Sequence, residues 1–402
     1  MSKNNRRLFL KEMILSSLSV PLLSFGVFSS PPQRIQKGDM YYRRLGRTGL
    51  LISEISLGGS PLPDWAIMRQ VIDRGVNYID TSHTYMNGNS ERQIGKLLKE
   101  VGRDKVYVGT KFHLRSHWSE ESIISSVEGS LKRLQTDTID VLLIHGASNP
   151  KNLTDVRVLS AFEKMKKDGK FRFNGLSCHS HHHEVITEAV KCGQYDMVQL
   201  GYNVFDIEDT QQDIKTYSDY LGTSGIRRVI NMAYDRDIGV IAMKVLKVGG
   251  KRQNLDRYRT GSASLYQAML KWALENRQVT SIVTEMLNRT QLEEDLSVVN
   301  SPLLPKERKK LFQYAAENCG DYCHMCGTCK NHCPQGIETT SILRYLAYFE
   351  GYGKKERART LYSRLSPEKT AKACTECGQC DQSCPYGVSV NQRIHEADSL
   401  LA

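Results

Sequence analysis

The chain has 402 residues, 40% of them apolar and 25% charged, which is more than one ordinary domain and reads as two folded, soluble units. Its formal charge of +11 invites a nucleic-acid reading. No basic stripe accompanies that charge, so nucleic acid is excluded as a partner.

Residues 1–30 read as an export signal. Asn5-Arg6-Arg7-Leu8-Phe9-Leu10-Lys11 precedes an uncharged apolar run from Met13 to Phe28, which is too short and too rich in serine for a membrane span. The stretch Arg6-Arg7-Leu8-Phe9-Leu10-Lys11 resembles the twin-arginine signal, an address rather than an anchor. That resemblance implies passage of the folded protein through the twin-arginine translocation machinery to the periplasm or beyond. Cleavage is expected after Ser29 or Ser30, and an uncleaved segment would tether the protein to the membrane. Residues 31–39 are expected to form a linker.

From Met40 to about Asn300, short apolar runs alternate with helical periodicity. The predicted strands are Ile55 to Gly59, Tyr78 to Thr81, Val106 to Lys111, Val141 to His145, Asn174 to Ser177, Val198 to Tyr202, Val240 to Lys244 and Ser281 to Thr284. Between them lie amphipathic segments such as Ile123, Val127, Leu131 and Leu134, one buried helical face. Eight strand-then-helix units define an α/β fold, a (β/α)8 TIM barrel over residues 40–304, with chemistry expected where strands end. Met40 to Ile52 reads as a hairpin ahead of the barrel.

Asp80, Tyr85, Lys111 and His145 stand at or just beyond strand ends. Together they fit a proton-transfer device. An ammonium beside a phenol favours phenolate, a carboxylate holds that ammonium, and an imidazole aims a carbonyl oxygen. His113, His117 and Trp118 follow Lys111 on the same rim, and with Phe205 and the stretch from Asp206 to Gly225 they are candidates for substrate contact. His179, His181, His182 and His183 follow the fifth strand. Adjacent histidines on a helix cannot all face one ion, so Ser180 is expected to cap a helix that begins near Glu184.

Beyond Pro305 the composition shifts. Cys323, Cys326, Cys329 and Cys333-Pro334 repeat as Cys374, Cys377, Cys380 and Cys384-Pro385, eight of the eleven cysteines in two copies of C-x2-C-x2-C-x3-C-P. At this spacing three thiolates close around one 4Fe-4S cube while the fourth reaches the neighbouring one. Crossed ligation assigns Cys384 to the first run and Cys333 to the second. Paired C-x2-C also suits zinc, but zinc has no use for the third and fourth cysteines. With two such clusters in place and the signal removed, the net charge falls to about +4. Lys306 to Asn318 reads as a helical connector, and helices from Thr340 to Phe349 and Lys354 to Leu365 occupy the forty residues between Cys333 and Cys374. Residues 305–402 are therefore expected to be a small, mostly α-helical ferredoxin-like iron-sulfur domain. Cys178, Cys192 and Cys319 are left over, and Cys319, near the first run but outside its spacing, reads as structural.

The sequence resembles the aldo-keto reductase family, in its branch with a C-terminal iron-sulfur extension. The resemblance is carried by Arg44-Leu45-Gly46-Arg47-Thr48-Gly49-Leu50, by Asn77-Tyr78-Ile79-Asp80-Thr81-Ser82 leading to Tyr85, and by Ser90-Glu91 with Gly95. Thr110-Lys111, Asp140 through His145, and Val198-Gln199 through Tyr202-Asn203 match too. It implies that Tyr85 is the general acid or base toward a small-molecule carbonyl or alcohol. Lys111 would lower its pKa, Asp80 would hold Lys111, and His145 would orient substrate.

The resemblance also implies a nicotinamide dinucleotide, NAD or NADP, across the barrel rim. Ser177 and Gln199 would hold the carboxamide and Met243 would pack on the ring, while Cys178 stands where the family has Asn. After the eighth strand Glu285 replaces the family's Gly or phosphate-binding Lys, and Gln291, Glu294 and Asp295 keep the polar pattern that follows. A carboxylate about 4 Å from a phosphate costs about 4 kcal/mol at an effective dielectric of 20. Either NADP is disfavoured, or Glu285 selects NAD through a ribose diol. An exported enzyme must retain its dinucleotide or exchange electrons through the clusters with a redox partner protein. The rival expectation is a non-catalytic electron-transfer or interaction subunit that keeps the barrel as a scaffold.

Overall fold

The computed structural model describes residues 34–115, 117–206, 225–246, 255–318 and 323–402. The export signal expected in residues 1–30, positions 207–224 of the rim stretch, and Cys319 lie outside the described residues. Among the described residues no helix is long and apolar enough to cross a membrane.

Eight parallel strands close a barrel: β4 (Ile55–Gly58), β5 (Tyr78–Asp80), β6 (Tyr107–Phe112), β7 (Ile139–Ala147), β8 (Phe171–Cys178), β9 (Met197–Gly201), β10 (Gly239–Met243) and β11 (Ser281–Thr284). The ring closes at β11, which pairs with β10 on one side and β4 on the other, Ile282 lying opposite Ile55. Each expected strand is found within three residues of its predicted ends. Ahead of the barrel the expected hairpin is a three-stranded antiparallel sheet, β1 (Arg34–Lys37), β2 (Met40–Arg44) and β3 (Leu51–Ser53), so part of the expected linker is a strand that pairs with β2. Leu45, Leu50 and Ile52 from this sheet pack with Tyr78, Val141, Leu143, Met197 and Ile241 in one interior cluster. A Cβ on Gly239 would lie 2.5 Å from Leu45 Cδ1, so glycine there is what admits Leu45. The same sheet is fastened by a buried charge pair. Arg43 donates to Glu54 at 2.7 Å and to the carbonyls of Val279 and Leu274 at 2.6 and 2.8 Å.

The helix Glu120–Leu134 shows how sequence sets the outer layer. Ser119 accepts from Ser122 N at its start, Glu120 and Glu121 occupy the first turn, Lys132 and Arg133 the last, and Ile123, Val127, Leu131 and Leu134 are buried. The helix Pro305–Asn318 puts Leu311, Tyr314 and Ala315 into the barrel's own core, and Lys271 meets Glu307 at 2.8 Å beneath it. The connector thus belongs to the barrel's packing.

The remaining helices, Thr339–Glu350, Lys355–Tyr362 and Val390–Leu401, gather a second core of Ile342, Leu346, Ala358, Tyr362, Ile394 and Ala397. Two four-residue helices, Thr328–Asn331 and Gln379–Gln382, carry Cys329 and Cys380 against that core.

Candidate active site and cysteine cavities

Asp80 ends β5 and Lys111 lies in β6, and adjacent parallel strands bring their side chains together at the carboxyl end of the barrel. The Lys111 ammonium lies 2.5 Å from Asp80 Oδ1 and donates at 2.8 Å to the Thr81 carbonyl, with both side chains buried. It also stands 5.1 Å from the centre of the Tyr85 ring. Tyr85 opens a short turn whose next residues, Met86 and Asn87, have φ of 51° and 55°. The His145 ring meets Tyr85 edge-on, centroids 5.6 Å apart.

The four expected residues are therefore together, but the electrostatics differ from expectation. Burial, and then the Asp80 carboxylate, push the Tyr85 phenol well above its ordinary pKa. Burial also pulls Lys111 down, while Asp80 supports its charge. A cation already paired with a carboxylate has little net field to spend on the phenol, and desolvation dominates.

The rim also holds an imidazole array that sequence reasoning only partly marked. His113 stacks on His145 at 4.1 Å and 20°, His83 meets His113 at 5.7 Å, and His179 lies 5.6 Å from His145. Burial pulls His145 and His179 well below the ordinary histidine range and His113 down to about 4, so all three are neutral. Ser82 Oγ and His145 Nδ1 are 3.1 Å apart, which fixes the ring. His83 and Lys244 were not singled out as site residues, and their only signal was their place at the end of a strand. Of the other rim candidates, Phe205 packs 5.6 Å from Tyr314 in the core, His117 is exposed, and Trp118 is half-buried with its carbonyl accepting from Arg157.

Gln199 is buried in β9, and its Oε1 meets no hydrogen-bond donor among the described residues, the kind of acceptor a carboxamide would satisfy. Ser177 Oγ instead meets His179 Nε2 at 3.2 Å, and Lys244 Nζ lies 3.1 Å from His179 Nδ1. Met243 is buried at the end of β10, and the Cys178 thiol, pushed up to about 12 by burial, faces the Ser180 carbonyl at 3.2 Å. Ser180 does not cap the following helix. That helix spans His182–Cys192, and His181, with φ 53°, is its N-terminal cap residue without a side-chain bond.

Glu285 is exposed just past β11, where surrounding protein raises its carboxyl above the usual range and Lys354 acts the other way. Gln291 Oε1 accepts from Leu287 N at 2.8 Å, and Glu294 accepts from Ser264. Asp295 is buried, and burial pushes its carboxyl up to about 7 while the Thr284 hydroxyl acts the other way. Gln291 and Glu294 thus serve helix starts, a local demand that sequence position alone does not reveal.

The cysteines line two small cavities. Cys323, Cys326 and Cys329 surround the first with Cys384, and Cys374, Cys377 and Cys380 surround the second with Cys333. Each run's fourth cysteine crosses over, and none of the eight is in a disulfide. Burial pushes Cys380 up to about 12 and raises Cys329, so iron is what would draw these donors into the thiolate form. Four soft sulfurs around each cavity fit a 4Fe-4S group.

Rim groups that move a proton and cavities that suit one-electron centres make the class of protein an oxidoreductase. Residues 64–263 match the Aldo/keto reductase family and residues 320–388 match a 4Fe-4S dicluster domain. The chain is an aldo-keto reductase-type oxidoreductase with a C-terminal dicluster domain. It is similar to the uncharacterized oxidoreductase YqkF of Bacillus subtilis, 25% identical over 68% of this chain and 96% of the relative. It is also similar to an NADH-specific methylglyoxal reductase of Escherichia coli, 31% identical over 40% of this chain and 59% of the relative. The fold matches an aldo-keto reductase from Bacillus halodurans in its holo form, with TM-score 0.52 and 23% identity, over 68% of this chain and 95% of that one.

Proposed function

We propose that the protein is an exported oxidoreductase that interconverts a small-molecule carbonyl and its alcohol, with Tyr85 exchanging the proton at the reacting oxygen. The observation that carries this reading is the Lys111 ammonium held between the Asp80 carboxylate and the Tyr85 ring. A phenol kept protonated by burial is suited to give its proton to a carbonyl oxygen through the neutral range. His145, neutral and held by Ser82, offers that oxygen a fixed hydrogen-bonding ring. When bound, a nicotinamide dinucleotide supplies the hydride. Gln199 and Ser177 would hold its carboxamide, and Met243 would pack on the ring.

NAD is favoured over NADP because Glu285 opposes a further phosphate at its place on the rim. A relative named as NADH-specific supports that choice. Cys323, Cys326, Cys329 and Cys384 would hold one 4Fe-4S cluster, and Cys374, Cys377, Cys380 and Cys333 the other, relaying electrons to or from a redox partner protein. Arg6 and Arg7, ahead of the apolar run, support export through the twin-arginine route.

The test is anaerobic turnover of a panel of aldehydes and ketones with NADH and with NADPH. Reduction that prefers NADH and disappears in Tyr85→Phe is the expected result. No turnover of any carbonyl with either dinucleotide, or equal rates in Tyr85→Phe, would overturn the reading.

A further inference from the structure

The two cysteine runs are copies in sequence and in backbone, which makes their differences informative. Gly327 and Gly378 occupy the same place in each run, both with positive φ (84° and 71°), and both open a four-residue helix. Met325 and Glu376 likewise correspond, with φ of 60° and 53°. Geometry inside the runs therefore does not distinguish the two cavities. Their surroundings do.

A Cβ on Gly327 would lie 2.6 Å from His181 Nε2, whereas a Cβ on Gly378 would meet nothing within 4 Å. Met325 is buried and Glu376 exposed. Cys326 is half-buried and its counterpart Cys377 is exposed. The first run is thus pressed against the barrel and the second faces outward. The sequence obeys the same division, since the apolar Met325 stands on the covered copy and the charged Glu376 on the open one.

The barrel residue that touches the first run is close to the catalytic rim. His181 lies two residues from His179, whose ring is 5.6 Å from that of His145. The buried Nδ1 of His181 has no hydrogen-bond partner among the described residues. One short segment, from His179 to His181, therefore spans from the reacting side chains to the wall of the first cavity.

We propose that the cavity on Cys323, Cys326, Cys329 and Cys384 is the inner electron site, coupled to the barrel through His181 and Gly327. The cavity on Cys374, Cys377, Cys380 and Cys333 is the outer site, and a one-electron carrier protein docks over the exposed stretch from Thr375 to Cys377. Each exchange moves one electron: the carrier is oxidised by one, the outer site reduced by one, and the inner site then takes that electron. No bond forms or breaks in these exchanges.

The order rests on the proposed iron-sulfur occupancy but not on the barrel's substrate, and the test separates the two. Iron content and paramagnetic resonance of the dithionite-reduced full-length holoprotein are measured first. Cys326→Ser and Cys377→Ser then assign each signal to its cysteine set, by a change in its shape or by its loss. A water-soluble dysprosium chelate is added, and relaxation of each signal is compared. The signal assigned through Cys377 should be relaxed several-fold more strongly than the one assigned through Cys326.

Docking is read from the rate at which a reduced acidic ferredoxin transfers electrons to the holoprotein. Glu376→Arg should raise that rate about tenfold at low salt and leave reduction by dithionite unchanged. Equal relaxation of both signals, or stronger relaxation of the Cys326 signal, would overturn the order. A ferredoxin rate unmoved by Glu376→Arg would overturn the docking surface. A protein without bound iron would overturn the cluster reading and this inference with it, while leaving the barrel's carbonyl chemistry to its own test.

Discussion

Lys111 Nζ lies 2.5 Å from Asp80 Oδ1 and 5.1 Å from the centre of the Tyr85 ring, so one buried ammonium is shared between a carboxylate and a phenol. Its two neighbours make opposite demands on it. Asp80 stabilises the charge, and the phenol would use what remains of it.

Tyr85→Phe removes one hydroxyl from a site whose other groups stay in place. Carbonyl turnover should fall by about 10² to 10⁴ while cluster absorbance and folding are unchanged. Lys111→Met is expected to do more. It leaves Asp80 buried without its cation, at about 3–5 kcal/mol of stability. Steady-state rates beside thermal unfolding separate the two effects, and a Tyr85→Phe protein with wild-type rates would end the assignment.

Acid should loosen the catalytic rim. His113, His145 and His179 are held neutral, their folded pKa values below the ordinary 6.5. Between the folded and unfolded values the unfolded chain binds more protons, so stability rises with pH through that window and falls as pH drops below about 6.5. For His113 the loss continues to about 4. His113→Asn should flatten the acid side of a plot of unfolding midpoint against pH. A variant as acid-sensitive as wild type would remove His113 from this account.

The Arg43 and Glu54 pair is buried to 1% exposure on both sides. Arg43→Met strands part of the Glu54 charge and leaves the Leu274 and Val279 carbonyls without their donor. A loss of about 3–5 kcal/mol is expected, read as a lower denaturant midpoint of the barrel. Burial has already pulled Arg43 down to about 10, which marks how much desolvation the pair absorbs.

Crossed ligation gives the cysteine variants an unusual signature. Anaerobically prepared protein should carry about eight irons per chain. Cys384→Ser should perturb the cluster on the first run and Cys333→Ser the cluster on the second, each followed by paramagnetic resonance. Damage confined to the run in which the cysteine sits in sequence would show that the crossing is not used.

Glu285→Ser should improve NADP affinity by about tenfold or more with little change for NAD, because a carboxylate near a phosphate is removed. Retention of NAD through export for hours needs a Kd on the order of 0.1 nM at an association rate of about 10⁶ per molar per second. Denaturing exported protein and analysing the released nucleotide checks both points. Stoichiometric NADP in wild type would reverse the expected preference.

The (β/α)8 order was legible in the chain because strand and helix periods differ and each unit is local. The two cysteine runs were legible for the same reason, since ligand spacing is a property of consecutive residues. Asp80, Tyr85, Lys111 and His145 could be picked out because each stands at or just beyond the end of a recognisable strand. What the chain could not reveal is what depends on distant segments meeting. Desolvation of Tyr85 outweighing Lys111, the stacking of His113 on His145, and the use of Glu294 on Ser264 arise only once the barrel closes. The sharpest case is Gly327 and Gly378, equivalent in spacing and in φ, of which one lies against His181 and the other is open. Burial is a property of the whole fold, so two identical motifs acquire different environments only when the rest of the molecule packs around one of them.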